Sequence, residues 1–243
     1  MIVHGNYLIE TIEYIDSGTF GDVEKILLKN QTGKECGYCA RKILKGQDDD
    51  PTLLARFKRE VKAQDNCLHK NVVQIFICSM HTNPAWFVMD LAEATLKDEM
   101  DAGILTNEQK INIILMITRG VAWIHSKGYL HRDIKPQNIL KFPNGVYKIS
   151  DFGLARHMDP NEASTILTQI GQFPRTPKYF DHGVVLHGYS KQSDLFSIGI
   201  IIEEMEISGF EGIVDKCTDR RLHKRYQSAE QLIADIKKIS GEL

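Results

Sequence analysis

The stretch that most constrains how this chain can fold runs from His131 to Gly153 and reads HRDIKPQNIL, KFPNG, then VYKISDFG. Two apolar runs of β type, Asn138 to Phe142 and Val146 to Ser150, flank Pro143-Asn144-Gly145, so the segment predicts a tight hairpin with a polar loop at either end. One loop holds Asp133, Lys135 and Asn138, and the other holds Asp151. Folding the hairpin brings these polar groups together at its open end.

Phosphoryl transfer needs a carboxylate to orient an incoming hydroxyl, oxygen ligands for a divalent cation, and positive charge for the group in flight; this hairpin supplies most of them. The pair H-R-D-x-K-x-x-N and D-F-G, at this spacing, resembles the catalytic core of the eukaryotic-type (Hanks-type) Ser/Thr protein kinases, and the tail Arg225 to Leu232 is most like bacterial members. The resemblance implies an α+β, bilobal fold in a single domain over residues 1–243: an N-lobe antiparallel sheet plus the helix the family calls αC (about 1–89), a hinge (about 90–93) and a mainly helical C-lobe (about 94–243). It implies Asp133 as catalytic base, Lys135 on the γ-phosphate, Asn138 and Asp151 as metal ligands, and Thr176 bridging Asp133 and Lys135. The cofactors implied are ATP and Mg²⁺, with Mn²⁺ as an alternative, and the acceptor is a Ser or Thr hydroxyl on a protein substrate.

Formal charge is −2 with Lys and Arg spread along the chain, which argues against a nucleic-acid surface or a polybasic membrane patch. No run reaches the roughly 18 apolar residues of a membrane span, and MIVHGNYLIE lacks the plan of a signal peptide, so a soluble cytoplasmic protein is the expectation. Five cysteines then read as free thiols; Cys36 and Cys39 form a C-x-x-C without the second close pair a zinc site needs.

Apolar alternation from Tyr7 to Ile15 and again through Val23 and Ile26, with a glycine-bearing turn at 16–21, predicts strand, turn, strand. The family covers the ATP phosphates here with G-x-G-x-x-G; Gly18 and Gly21 are the second and third glycines, and Asp16 replaces the first. Ile15, Val23, Ala40 and Leu140 match positions that enclose the purine, Met89 the gatekeeper, and Asp90 and Ala92 the hinge backbone that bonds adenine. Lys42 matches the third-strand lysine that grips the α and β phosphates, and Glu60 the αC glutamate that pairs with it. Asp50-Pro51 predicts a helix start, with the helix running to about Asn66. Val72 to Phe76 and Trp86 to Met89 read as further strands, Thr106 and Gln109 as a capping box, and Ser190 to Glu204 as an apolar helix carrying Asp194, the match to the aspartate that anchors the HRD backbone.

Four features depart from the family or bear on regulation. Gln64 puts an amide where the family packs an aliphatic group, which predicts an unpaired buried amide and a helix that swings out readily. Arg56, Arg132 and Arg156 match positions that receive a phosphate on the activation segment, for which Ser164, Thr165 and Thr168 are the candidate acceptors, so regulation by (auto)phosphorylation is expected. The usual A-P-E falls on Asp181-His182-Gly183, leaving Arg225 without the family's glutamate and Asp181 as the nearest substitute. Glu206 to Cys217 is too short for the family's αG helix, which is expected to be reduced or missing. The alternatives to a protein kinase are a pseudokinase or nucleotide-binding scaffold, favoured by Asp16 and Gln64, and a small-molecule kinase of the aminoglycoside phosphotransferase type, which lacks this HRD and DFG pattern.

Overall fold

The computed structural model describes residues 1–18, 21–159 and 177–241. They form two compact units, Met1–Leu68 with Val73–Ala92, and His69–Val72 with Glu93–Leu243. Thr176, Ser164, Thr165 and Thr168 lie outside the described residues.

The first unit is a six-stranded antiparallel sheet of β1 (Ile2–His4), β2 (Tyr7–Ser17), β3 (Gly21–Asn30), β4 (Glu35–Leu44), β5 (Ile75–Ser79) and β6 (Trp86–Met89), ordered β1-β2-β3-β4-β6-β5. Strand alternation sorts its side chains onto two faces. Ile9, Ile26, Leu28, Trp86 and Val88 build an apolar cluster on one. In register on the other, Val23 stands opposite Lys42, Lys42 opposite Phe87, and Ala40 opposite Met89. That second face is where α1 (Pro51–Asn66) packs, through Phe57 against Phe87 with ring centroids 5.2 Å apart. Asp50 caps α1 by accepting the Thr52 N–H at 2.8 Å, and Pro51 occupies the first turn, where its missing N–H costs nothing.

Two expectations are corrected here. The strand expected over Val72 to Phe76 runs instead from Ile75 to Ser79. Val72 bridges Ile149 in the second unit, where Asn71 also accepts the Ile149 N–H at 2.9 Å, so the two valines are buried without entering the sheet. The amide of Gln64 is not unpaired: it is buried and its Nε2 donates to the Val73 carbonyl at 2.9 Å. Gln64 therefore stitches α1 to the chain leading into β5, and Gln64→Leu is expected to destabilise by about 1–3 kcal/mol because the Val73 carbonyl loses its donor. Thermal unfolding reads this directly; a melting temperature at or above wild type would show the bond to be dispensable.

In the second unit, β9 (Ile139–Phe142) and β10 (Val146–Ile149) form the expected hairpin, with Ile139 opposite Ile149 and Phe142 opposite Val146. Asn144 and Gly145 both take positive φ in the turn, 64° and 70°, a conformation that Asn and Gly tolerate best. A short β7 (Ala94–Thr95) extends that sheet, and β8 (Tyr129–Leu130) pairs with β11 (Arg156–His157). Around them lie α2 (Leu96–Ala102), α3 (Asn107–Ser126), α4 (Val184–His187), α5 (Lys191–Glu204), α6 (Glu211–Thr218) and α7 (Ala229–Ser240). Thr106 and Gln109 make the expected capping box on α3. The Glu206–Cys217 stretch expected to lack αG or to hold it in reduced form is part turn and part helix: residues 205–210 make only turns, and α6 takes Glu211–Thr218. The helices α5 and α6 pack closely, and a Cβ on Gly199 would collide with Cys217. No helix among the described residues is long and apolar enough to cross a membrane.

Candidate active site

The loop after β8 is suspended from one carboxylate. Asp194, in the first turn of α5, accepts the main-chain N–H of His131 at 2.9 Å and of Arg132 at 2.8 Å, and bonds His125 Nε2 at 2.8 Å. Burial alone would raise its pKa, but the His125 hydrogen bond, the neighbouring histidines and the Arg132 N–H hold it below the usual carboxylate value. These bonds fix Arg132 in a left-handed conformation, φ 71°, from which the chain turns into Asp133. The His131 ring is clamped as well. Its Nδ1 accepts the Asp133 N–H at 3.3 Å, so the proton sits on Nε2, which donates to the Ser150 carbonyl at 3.1 Å. Burial pushes the His131 pKa down, consistent with a neutral ring, and Phe152 packs edge-on at 4.9 Å.

Asp133 uses one carboxylate oxygen for support: Oδ2 accepts Lys135 Nζ at 2.7 Å and Asn138 Nδ2 at 2.9 Å. Asn138 Nδ2 also donates to the Asp133 carbonyl at 2.9 Å. Asp133 Oδ1 has no hydrogen-bond partner among the described residues, nor has Asn138 Oδ1. The first can accept a proton and the second can ligate a cation. Asn138 lies beside Asp151 because its carbonyl accepts both the N–H and the hydroxyl of Ser150, at 2.9 and 3.0 Å. Asp151 follows with φ 61°, a conformation that Asp adopts more easily than most residues, and accepts the Gly153 N–H at 3.4 Å. Among the described residues no three His, Cys, Asp or Glu side chains gather as a metal cluster. An Asn and an Asp oxygen, with the rest of the shell left to phosphate and water, instead fit a hard cation of the Mg²⁺ type.

In the first unit Lys42 Nζ meets Glu60 Oε1 at 2.5 Å, with Glu60 buried on α1. Gly18 donates its N–H to the Gly21 carbonyl at 2.9 Å, closing the turn after β2, and a Cβ on Gly21 would lie 2.8 Å from the Ile43 carbonyl oxygen, so no side chain fits there. Ile15 is exposed, Val23 half-buried, and Ala40 and Met89 buried. Asp16 is exposed and its Oδ1 accepts the Ser17 N–H at 2.7 Å, a local use that keeps its charge in solvent. Asp90 donates its N–H to the Gln74 carbonyl at 3.2 Å, and Ala92 is the last residue of this unit. Leu140, on β9, belongs to the second unit and is half-buried.

Two residues of the loop's surroundings escaped the sequence reading. His125 stands near the end of α3 among buried isoleucines, and a histidine in such a stripe is the available signal. Tyr189, whose ring lies under the Arg132 guanidinium, carries no local signal at all.

Comparison with known proteins bears on the same residues. Residues 9–238 match the family model of the protein kinase domain. The chain is 29% identical to a probable serine/threonine-protein kinase of Clostridium perfringens, over 84% of this chain and 35% of that protein. It is 29% identical to mitogen-activated protein kinase kinase kinase 3 of Arabidopsis thaliana, over 83% of this chain and 33% of that protein. It is 27% identical to the probable serine/threonine-protein kinase PknB of Lactococcus lactis, over 81% and 37%. The chain thus spans about a third of the length of the curated relatives it matches.

Proposed function

The chain belongs to the protein kinase domain family, and from that premise we propose that it is a serine/threonine protein kinase, using ATP with Mg²⁺ or Mn²⁺, whose residues 1–243 make one kinase domain. The observation that carries this reading is the arrangement of Asp133, with Oδ2 held by Lys135 and Asn138 and Oδ1 left for a substrate hydroxyl. A pseudokinase has no need of that geometry. The Lys42–Glu60 pair supports the same reading.

Each residue has a distinct task. Lys42, kept in place by Glu60, neutralises the α and β phosphates; Gly18 and Gly21 allow main-chain N–H groups to approach them; Ile15, Val23, Ala40, Met89, Asp90 and Ala92 of the first unit take the adenine end. Asn138 and Asp151 would hold the divalent cation, which would supply positive charge for the phosphate oxygens. Asp133 orients the acceptor hydroxyl and takes its proton, while Lys135 offsets charge on the transferred group and Thr176 ties the two together. A phosphate on Ser164, Thr165 or Thr168 would add control, with Arg132 and Arg156 of the second unit as its cations.

Radiolabelled ATP with Mg²⁺, given to the protein alone and with a generic basic protein substrate, tests the reading. Label on serine or threonine is expected. Nucleotide binding without transfer would leave the scaffold reading, and transfer to an aminoglycoside but not to protein would leave the small-molecule kinase.

A further inference from the structure

Arg132 is gripped at two points by one short stretch of chain. Its main-chain N–H is held by Asp194, and its guanidinium carbon lies 3.8 Å from the centroid of the Tyr189 ring. Tyr189 immediately precedes Ser190, the N-cap of α5, and Asp194 lies in the first turn of that helix, so both grips come from the same rigid helix start. Phe180 stands edge-on to the Tyr189 ring, centroids 6.3 Å apart. Among the described residues no carboxylate is within ion-pair distance of Arg132, and its Nε is buried without a hydrogen-bond partner. A half-buried cation with no carboxylate in reach relies on an aromatic face for its protein partner.

We propose that Tyr189 is a positioning residue for phosphoryl transfer: its ring holds Arg132, and through Arg132 the adjoining Asp133, in working position with no anion bound. The inference rests on the kinase reading above and refines its regulation. An arginine left loose beside the catalytic aspartate would need a phosphate to order it, making transfer conditional on phosphorylation. With the ring in place the loop is set beforehand, and the terminal N–H groups of the half-buried guanidinium remain as the point where a phosphate adds a further contact. Phosphorylation then raises activity by degrees instead of switching it on.

The test compares wild type with Tyr189→Phe, which keeps the aromatic face, and Tyr189→Leu, which removes it. Each is assayed as expressed and after phosphatase treatment, for kcat, KM for ATP and melting temperature. Phe is expected within about twofold of wild type. Leu is expected to lose about tenfold in kcat with KM for ATP unchanged, and to lose further activity on phosphatase treatment that leaves wild type within about twofold. Leu equal to wild type, or Phe as impaired as Leu with both melting early, would overturn the assignment in favour of plain packing. An NMR measurement separates this from failure of the kinase reading and does not depend on the Tyr189 variants folding. In wild type the Arg132 Hε signal, identified by its loss in Arg132→Lys, is expected upfield from the ring current of Tyr189. A wild type that transfers no phosphate yet shows this shift refutes the kinase reading and upholds the ring contact; an unshifted Hε refutes the contact whatever the activity.

Discussion

Asp133→Asn is expected to cut phosphoryl transfer by about 10²- to 10⁴-fold, the usual contribution of a positioned general base, while leaving the fold intact. The geometry gives the reason. Lys135 and Asn138 both donate to Oδ2, so the amide of an asparagine would be turned with its oxygen toward them and its NH₂ into the place of Oδ1. A donor would then face the substrate hydroxyl where an acceptor is required. Main-chain support is untouched, because His131 and Arg132 hang from Asp194 and not from the Asp133 side chain. The measurement is the initial rate at saturating ATP and Mg²⁺, alongside thermal unfolding. A rate near wild type would remove Asp133 from the mechanism; a large fall in melting temperature would show that the side chain is structural.

The second large effect concerns stability. Arg225 and Asp181 are both buried and meet in a two-pronged ion pair, NH1 to Oδ2 at 2.5 Å and NH2 to Oδ1 at 3.2 Å. Arg225 Nε donates to the Asp219 carbonyl at 2.6 Å, and its charge lies 5.1 Å from the Phe196 ring. Arg225→Ala leaves the Asp181 carboxylate buried with, among the described residues, only the Gly183 N–H, at 2.9 Å, to offset its desolvation. Breaking such a pair on one side costs about 3–5 kcal/mol. At about 2–4 °C per kcal/mol for a domain of this size, the melting temperature should fall by about 6–20 °C. Replacing both partners together, Asp181→Leu with Arg225→Met, should recover much of the loss, since an apolar pair needs no charge compensation. Arg225→Ala melting within about 2 °C of wild type would mean that water reaches the carboxylate, so that the pair contributes as little as a surface bridge.

That pair also explains a departure from the family pattern. The glutamate expected at position 183 is a glycine, and the partner of Arg225 comes from two residues earlier. The Gly183 position has little room for a side chain: a Cβ there would stand 3.0 Å from Asp181 Oδ1 and press on the carboxylate that has taken over. Asp181 thus supplies the carboxylate that the buried Arg225 guanidinium requires.

What the sequence determined by itself is the chemistry that is local. Asp133, Lys135, Asn138 and Asp151 lie within one hairpin whose register follows from apolar alternation and an Asn-Gly turn, so their convergence needed no knowledge of the rest of the chain. Helix starts at Asp50 and Thr106 were legible for the same reason: the cap and the residue that marks it lie within one turn. Lys42 and Glu60 are farther apart, and only the family resemblance pointed to their pairing. Tertiary structure decided which buried polar group meets which. Gln64 found the Val73 carbonyl, Val72 left the sheet for Ile149, Asp181 found Arg225 from 44 residues away, and Tyr189 came to lie under Arg132. A sequence shows that such a group is costly to bury alone; its partner is settled by packing, because hydrogen bonds and ion pairs act over a few ångströms while the partners are tens of residues apart.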